Sequence, residues 1–148
     1  MQTIFFRSAD RTLKFPGKRD LALWIGNIFL QEEKHLTSLT YVFCSDDYLL
    51  KINNDFLKHD FYTDIVTFEL SESKETIEGE VYISLDRVTD NAQTLGIPFN
   101  DEIVRVIFHG ALHLCGYKDK KKAEITLMRQ KEDYYLSLYK DSRVKKQK

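Results

Sequence analysis

HGALHLCGYKD, residues 109–119, is the stretch on which the reading of this chain turns. Residues four apart on an α-helix lie one above the other on the same face, so His109 and His113 can aim both imidazoles at one ion. Gly116 tolerates the left-handed backbone found just past a helix end, which lets the chain turn back and present Asp119 as a third ligand. Two nitrogens and a carboxylate oxygen suit Zn²⁺, and three protein ligands leave a fourth position open, as in a catalytic zinc site. An HxxxH pair alone is weak evidence. The glycine and the carboxylate after it separate this pair from two core histidines, each of which would need its own buried partner among Val106, Ile107, Ala111, Leu112 and Leu114.

The residue between the histidines limits the chemistry. Helical zinc proteases read H-E-x-x-H, with the glutamate acting as general base. Position 110 here is glycine. Peptide hydrolysis is thereby reduced to a distant third reading, whereas an ion at this site could still lower the pKa of water toward ~7 or polarise a phosphoryl oxygen, as phosphodiester cleavage requires.

Working outward, apolar periodicity and turn residues predict the order of elements. Strands are expected at Thr3–Phe6, Ser38–Cys44, Asp64–Leu70 and Glu80–Leu85, with the polar run SESKETIEGE between the last two as a turn. Helices are expected near Lys18–Glu33, with Leu21, Leu23, Trp24, Ile28 and Phe29 on its apolar side, and from Asp46 through Phe56, Asp86–Leu95, Asn100–Leu114 and Lys120–Tyr139. Asp46 and Asp47 complement the positive end of a helix dipole, and Asn100 is the expected N-cap of the histidine helix. Four strands interleaved with about five helices indicate an α/β or α+β domain with a mixed sheet.

At 148 residues and 43% hydrophobic composition, the chain fits one compact domain, residues 1–148, with a proper core. Residues 139–148 are expected to be a frayed basic tail. No stretch approaches the ~18 apolar residues of a membrane span, and MQTIFFRSAD lacks the character of a signal peptide, so a cytoplasmic location is expected. Cys44 and Cys115 form no C-x-x-C motif and should both be reduced; Cys115 is expected to be a small buried apolar residue and not a ligand.

The run HGALHLCGY resembles the signature HGxLHLxGYDH of the YbeY family, bacterial metal-dependent endoribonucleases of ribosomal RNA maturation and ribosome quality control. LLKINNDFLKHDFYTDIVTFEL, residues 49–70, is similar to the family's LNxxYRxxDxxTDVLSF, and GEVYISLDRV from Gly79 to its GDIxIS block. The likeness covers nearly the whole chain. It implies a site at one end of the histidine helix, in a cleft walled by the Thr63–Phe68 strand and the segment around Asp119. Two departures bear on the chemistry. Asp119 stands in the slot of the family's third histidine, adding negative charge, weakening the Lewis acidity of the ion and favouring harder cations such as Mn²⁺ or Mg²⁺. Leu57 stands where the family has an arginine thought to engage substrate. Lys58 or Arg105 could supply the missing charge, and Arg105, one helical turn before His109, is the better candidate.

The function this implies is single-strand-directed endonucleolytic cleavage of ribosomal RNA, with the ribosomal small subunit as partner and no DNA substrate. One ion held by His109, His113 and Asp119 assists attack by water or by the ribose 2′-hydroxyl, while Arg105 or a nearby lysine stabilises developing charge. No residue stands out as general base. The alternative from another class is a ribosome-assembly factor with a mainly structural metal. The formal net charge of −1 gives no general basic excess. Lys118, Lys120, Lys121 and Lys122 nevertheless surround Asp119 and suit a polyanionic substrate, whereas Arg143, Lys145, Lys146 and Lys148 of the tail are expected to be solvated. Thr63 and Asp64 are assigned either a structural or a catalytic role near the cleft; His35 and His59 are left out of the site.

Overall fold

The structure, a computed structural model, describes residues 3–58 and 62–147, the side chains of residues 145–147 excepted. His59 lies outside the described residues. The elements run β1 (Ile4–Ser8), α1 (Lys18–Gln31), β2 (Leu36–Cys44), α2 (Asp46–Leu57), β3 (Ile65–Glu69), β4 (Ile77–Ser84), α3 (Leu85–Leu95), α4 (Phe99–Leu114) and α5 (Lys122–Gln147). The four strands form one mixed sheet in the order β1-β2-β4-β3. β1 pairs parallel to β2 and β2 parallel to β4, whereas the edge strand β3 returns antiparallel along β4. The single mixed α/β domain expected from the order of elements is the one found.

β4 starts at Ile77, three residues earlier than its alternation suggested. Ile77, Gly79 and Val81 face inward while Glu78 is exposed, so the last four residues of the polar run belong to the strand and residues 71–76 form the connection. β2 and β4 then run directly into helices. The hydroxyls of Ser45 and Ser84 accept from the backbone amides of Tyr48 and Arg87, capping α2 and α3. Asp46 accepts from the Ser84 hydroxyl at 2.7 Å and pairs with Arg87 at 2.9 Å, which fastens α2 to α3.

α4 is the core of the molecule. Ile103, Ile107, Phe108, Ala111 and Leu112 are fully enclosed, and their partners include Leu39, Phe43, Val81 and Ile83 from the sheet. Tyr41 on β2 donates its hydroxyl to the Ile107 carbonyl at 2.8 Å, satisfying the one polar atom its burial would otherwise strand. Asn100 is not the cap of this helix. Pro98 is the N-cap and its hydrocarbon ring has no acceptor for a side-chain bond; Phe99, which packs on the core, begins the helix.

The basic end of the chain is helical as far as the described residues run. α5 continues through residues 139–147, and Tyr139 is buried edge-on against Phe108 and Trp24. Lys140 pairs with Asp101 at 3.4 Å and Arg143 with Asp20 at 3.4 Å. The apolar stripe of α5, Met128, Tyr135, Leu136 and Tyr139, seats the helix on the core. No helix among the described residues is long and apolar enough to cross a membrane.

Candidate metal centre

α4 brings His109 and His113 onto one face, as the four-residue spacing requires, with ring centroids 4.5 Å apart and planes nearly perpendicular. The helix then stops. Gly116 adopts φ 107°, and the Tyr117 amide donates back to the Leu112 carbonyl at 3.1 Å, a closure that turns the chain toward the histidines. Asp119 arrives with Oδ2 3.2 Å from Nε2 of His109 and 3.3 Å from Nε2 of His113. One ligand atom from each residue lies within 4.8 Å of the others, a group that could hold a metal ion.

The far nitrogens of the imidazoles are engaged, which fixes the rings. Nδ1 of His109 is 2.7 Å from Oε2 of Glu132 on α5, and Nδ1 of His113 donates to the Tyr117 carbonyl at 2.9 Å. With each Nδ1 proton so used, both Nε2 lone pairs are directed at the space beside Asp119, the donor arrangement a divalent ion needs. The surroundings shift the two imidazoles in opposite directions. Burial alone would lower the His109 pKa, but Glu132, Asp119 and Asp64 outweigh it and raise the value above the ordinary one. Burial and the neighbouring His109 hold His113 below the ordinary value and favour its neutral, ligating form.

The three residues stand at one side of a cavity of about 770 Å³. Thr63, Asp64 and residues of the edge strand β3 line it together with the histidines, as the family resemblance implied, and Met128, Arg129 and Glu132 line it from α5. Asp64 is drawn into this wall, where burial pushes its carboxyl pKa up. Arg105 reaches the cavity too, but its guanidinium lies 3.4 Å from Glu102, 3.3 Å from Glu132 and 3.5 Å from Asp133. Lys120 lines the cavity, whereas Lys118, Lys121 and Lys122 are exposed outside its lining. Cys115 is buried and its thiol is pushed up to about 12 by burial, in keeping with a packing role. His35 is exposed and apart from the group.

Gly110 faces the sheet. A Cβ there would fall 3.0 Å from Val81 Cγ1 and 3.1 Å from Ile65 Cδ1, so the position where a helical zinc protease carries its glutamate is the contact surface between α4 and the strands. The residue that sequence reasoning missed is Glu132. It interrupts the stripe of Met128, Tyr135, Leu136 and Tyr139, and a carboxylate in a buried stripe demands a charged or hydrogen-bonding partner.

A helix-borne histidine pair, a returning carboxylate and an open cavity in a mixed α/β domain define a protein of the metal-dependent hydrolase class. The family profile described as Endoribonuclease YbeY matches residues 7–140, and the chain belongs to the YbeY family. It is 49% identical over 139 residues to the Endoribonuclease YbeY of Cytophaga hutchinsonii, covering 94% of this chain and 97% of that one. With the Endoribonuclease YbeY of Porphyromonas gingivalis it shares 42% identity over 142 residues, 96% of this chain and 93% of the relative. The solution structure of a Thermotoga maritima protein superposes with a TM-score of 0.67 at 24% identity, over 97% of this chain and 93% of that one, which bears on the fold alone.

Proposed function

We propose that this chain is a metal-dependent endoribonuclease that cleaves single-stranded segments of ribosomal RNA in ribosome maturation and quality control. It works in the cytoplasm on the ribosomal small subunit. The observation that carries the reading is the convergence of two imidazole Nε2 atoms and one carboxylate oxygen at the edge of an open cavity, on a chain of the YbeY family.

His109, His113 and Asp119 would hold one Zn²⁺, with Mn²⁺ or Mg²⁺ as alternatives that the carboxylate favours. When bound, the ion supplies Lewis acidity toward water or a phosphoryl oxygen. Glu132 and the Tyr117 carbonyl orient the two imidazoles through their Nδ1 protons. Arg105, the candidate on α4 for stabilising developing charge, is held in the cavity wall by three carboxylates that offset its positive charge. Asp64 and Thr63 shape the facing wall.

The test is cleavage of a single-stranded RNA oligonucleotide by the zinc-loaded chain, compared with the chelated protein and with His113→Ala. Cleavage should vanish in both while circular dichroism reports a folded chain. Activity falling only in proportion to stability would favour an assembly factor with a structural metal. Product ends identify the nucleophile: a 2′,3′-cyclic phosphate points to the ribose hydroxyl, and a linear phosphate formed without it to water.

A further inference from the structure

Among the described residues the cavity is lined by five carboxylates, Asp64, Glu69, Glu102, Asp119 and Glu132, and by three side chains with permanent positive charge, Arg105, Lys120 and Arg129. A polyanion entering it therefore depends on cations not already neutralised by the protein. α2 supplies only Asn53 and Leu57 to this lining, so that charge has to come from α4, the turn before α5, or α5 itself.

Arg105 is committed to the wall. Three carboxylates surround its guanidinium, its side chain is 24% exposed, and its Nε is enclosed. Arg129 is the opposite case. Its side chain is 58% exposed, and among the described residues its one ion pair is the contact of Nη1 with Glu132 Oε1 at 3.4 Å. That oxygen already receives Arg105 at 3.3 Å, while Oε2 of the same carboxylate holds His109. Glu132 thus draws Arg129 to the side of the histidines, and among the described residues the other donors of its guanidinium have no ion-pair partner. Lys120 is exposed on the turn beside Asp119, where a strongly hydrated ammonium supplies attraction without orientation.

We infer that Arg129 is the residue that grips a substrate phosphate next to the metal group, its planar guanidinium donating two hydrogen bonds to the non-bridging oxygens of one phosphodiester. The fork matches that pair of oxygens, which a lysine does not. This assignment rests on the endoribonuclease reading above, and it places the phosphate contact on α5 and not on α2, which carries Leu57.

The experiment is a binding titration of the zinc-loaded chain with a single-stranded RNA oligonucleotide over a series of salt concentrations, run beside the cleavage assay. For Arg129→Gln, Kd should rise roughly tenfold. The slope of log affinity against log salt should become shallower by about 0.7, the value for one phosphate contact on a single strand. Zinc affinity and Tm should stay as in the wild type, and Arg129→Lys should recover the slope but not the full affinity. An unchanged slope and Kd in Arg129→Gln overturn the inference, whether or not the wild type cleaves. A reduced slope in the variant, with no cleavage by the wild type, supports the phosphate contact and overturns the nuclease reading. Wild-type binding without salt dependence overturns both.

Discussion

Oε2 of Glu132 stands 2.7 Å from Nδ1 of His109, so a carboxylate on α5 fixes an imidazole carried by α4. Glu132 is almost enclosed, and its other oxygen meets Arg105 and Arg129, at 3.3 and 3.4 Å. One side chain therefore pairs with a half-buried cation, orients the His109 imidazole and joins two helices that are 23 residues apart in sequence at this point.

Replacing it separates those roles. Glu132→Ala leaves Arg105 beside Glu102 and Asp133 without its third partner and should destabilise the fold by about 3 kcal/mol, the lower end for breaking a buried ion pair. Glu132→Gln keeps an acceptor for His109 and should cost less. Zinc affinity, measured by calorimetry on the folded proteins, should fall roughly 10- to 100-fold in the alanine variant. Equal zinc affinity in wild type and Glu132→Ala would show that His109 needs no such support.

Asp119→His gives a second test, of metal choice. A third imidazole is softer than a carboxylate and removes a negative charge from the group, so the variant should prefer zinc over manganese more strongly than the wild type. Competition between the two ions for the apo protein reads the ratio. Asp119→Ala, with two ligands left, should lose affinity for both. A Zn/Mn ratio that is the same in wild type and Asp119→His would mean that residue 119 does not touch the ion.

The ligand helix was legible because its signals are local. The four-residue spacing of the histidines, the stripe around them and the glycine after them all follow from helix geometry, and α4 ends where Gly116 lets it end. Strand β4 was misjudged at its start because its outward residues, Glu78 and Glu80, resemble those of a turn until β3 is seen pairing beside them. The pairing of Lys140 and Arg143 is not legible in the sequence, because their partners, Asp101 and Asp20, lie more than 30 residues away. The engagement of Arg105 by Glu132 and Asp133 is equally non-local. Spacing could place Arg105 on the ligand face, but only the packing of α5 shows how its charge is held.

Glu32 carries the acid sensitivity of the turn that presents Asp119. Its carboxylate accepts from the hydroxyl of Tyr117 at 2.6 Å and from that of Tyr135, and it pairs with Lys131 at 3.4 Å. Burial pushes the Glu32 pKa up, but these donors outweigh it and hold the value below that of an ordinary glutamate. Its contribution is fully present above the unfolded-state pKa and is lost as pH falls through the lower folded-state value. Glu32→Gln should therefore be less stable than wild type at neutral pH by about 1.5–3 kcal/mol, the worth of a hydrogen bond to a charged group. The two proteins should converge as the carboxylate protonates. Denaturant titrations at neutral pH and below pH ~4 measure both gaps; a difference independent of pH would remove the carboxylate charge as its cause.

Gly110 tests why this helix has no protease glutamate. Exchanging glycine for alanine inside a helix ordinarily stabilises by roughly 0.5–1 kcal/mol. Here the added methyl would lie 3.0 Å from Val81 Cγ1, 3.1 Å from Ile65 Cδ1 and 3.3 Å from Val81 Cγ2, side chains of two adjacent strands that are themselves packed. Overpacking of this kind costs about 1–3 kcal/mol, so the steric loss wins and Gly110→Ala should lower the Tm by a few degrees. Moving α4 off the sheet also shifts His109 relative to Asp119 and Glu132, so zinc affinity should fall together with stability. Gly110→Glu places a larger, charged group against the same apolar strands and should prevent folding without creating a peptidase. A rise in Tm for Gly110→Ala, of the size helix propensity alone provides, would show that α4 and the sheet have room to spare and that the glycine is not what sets their approach.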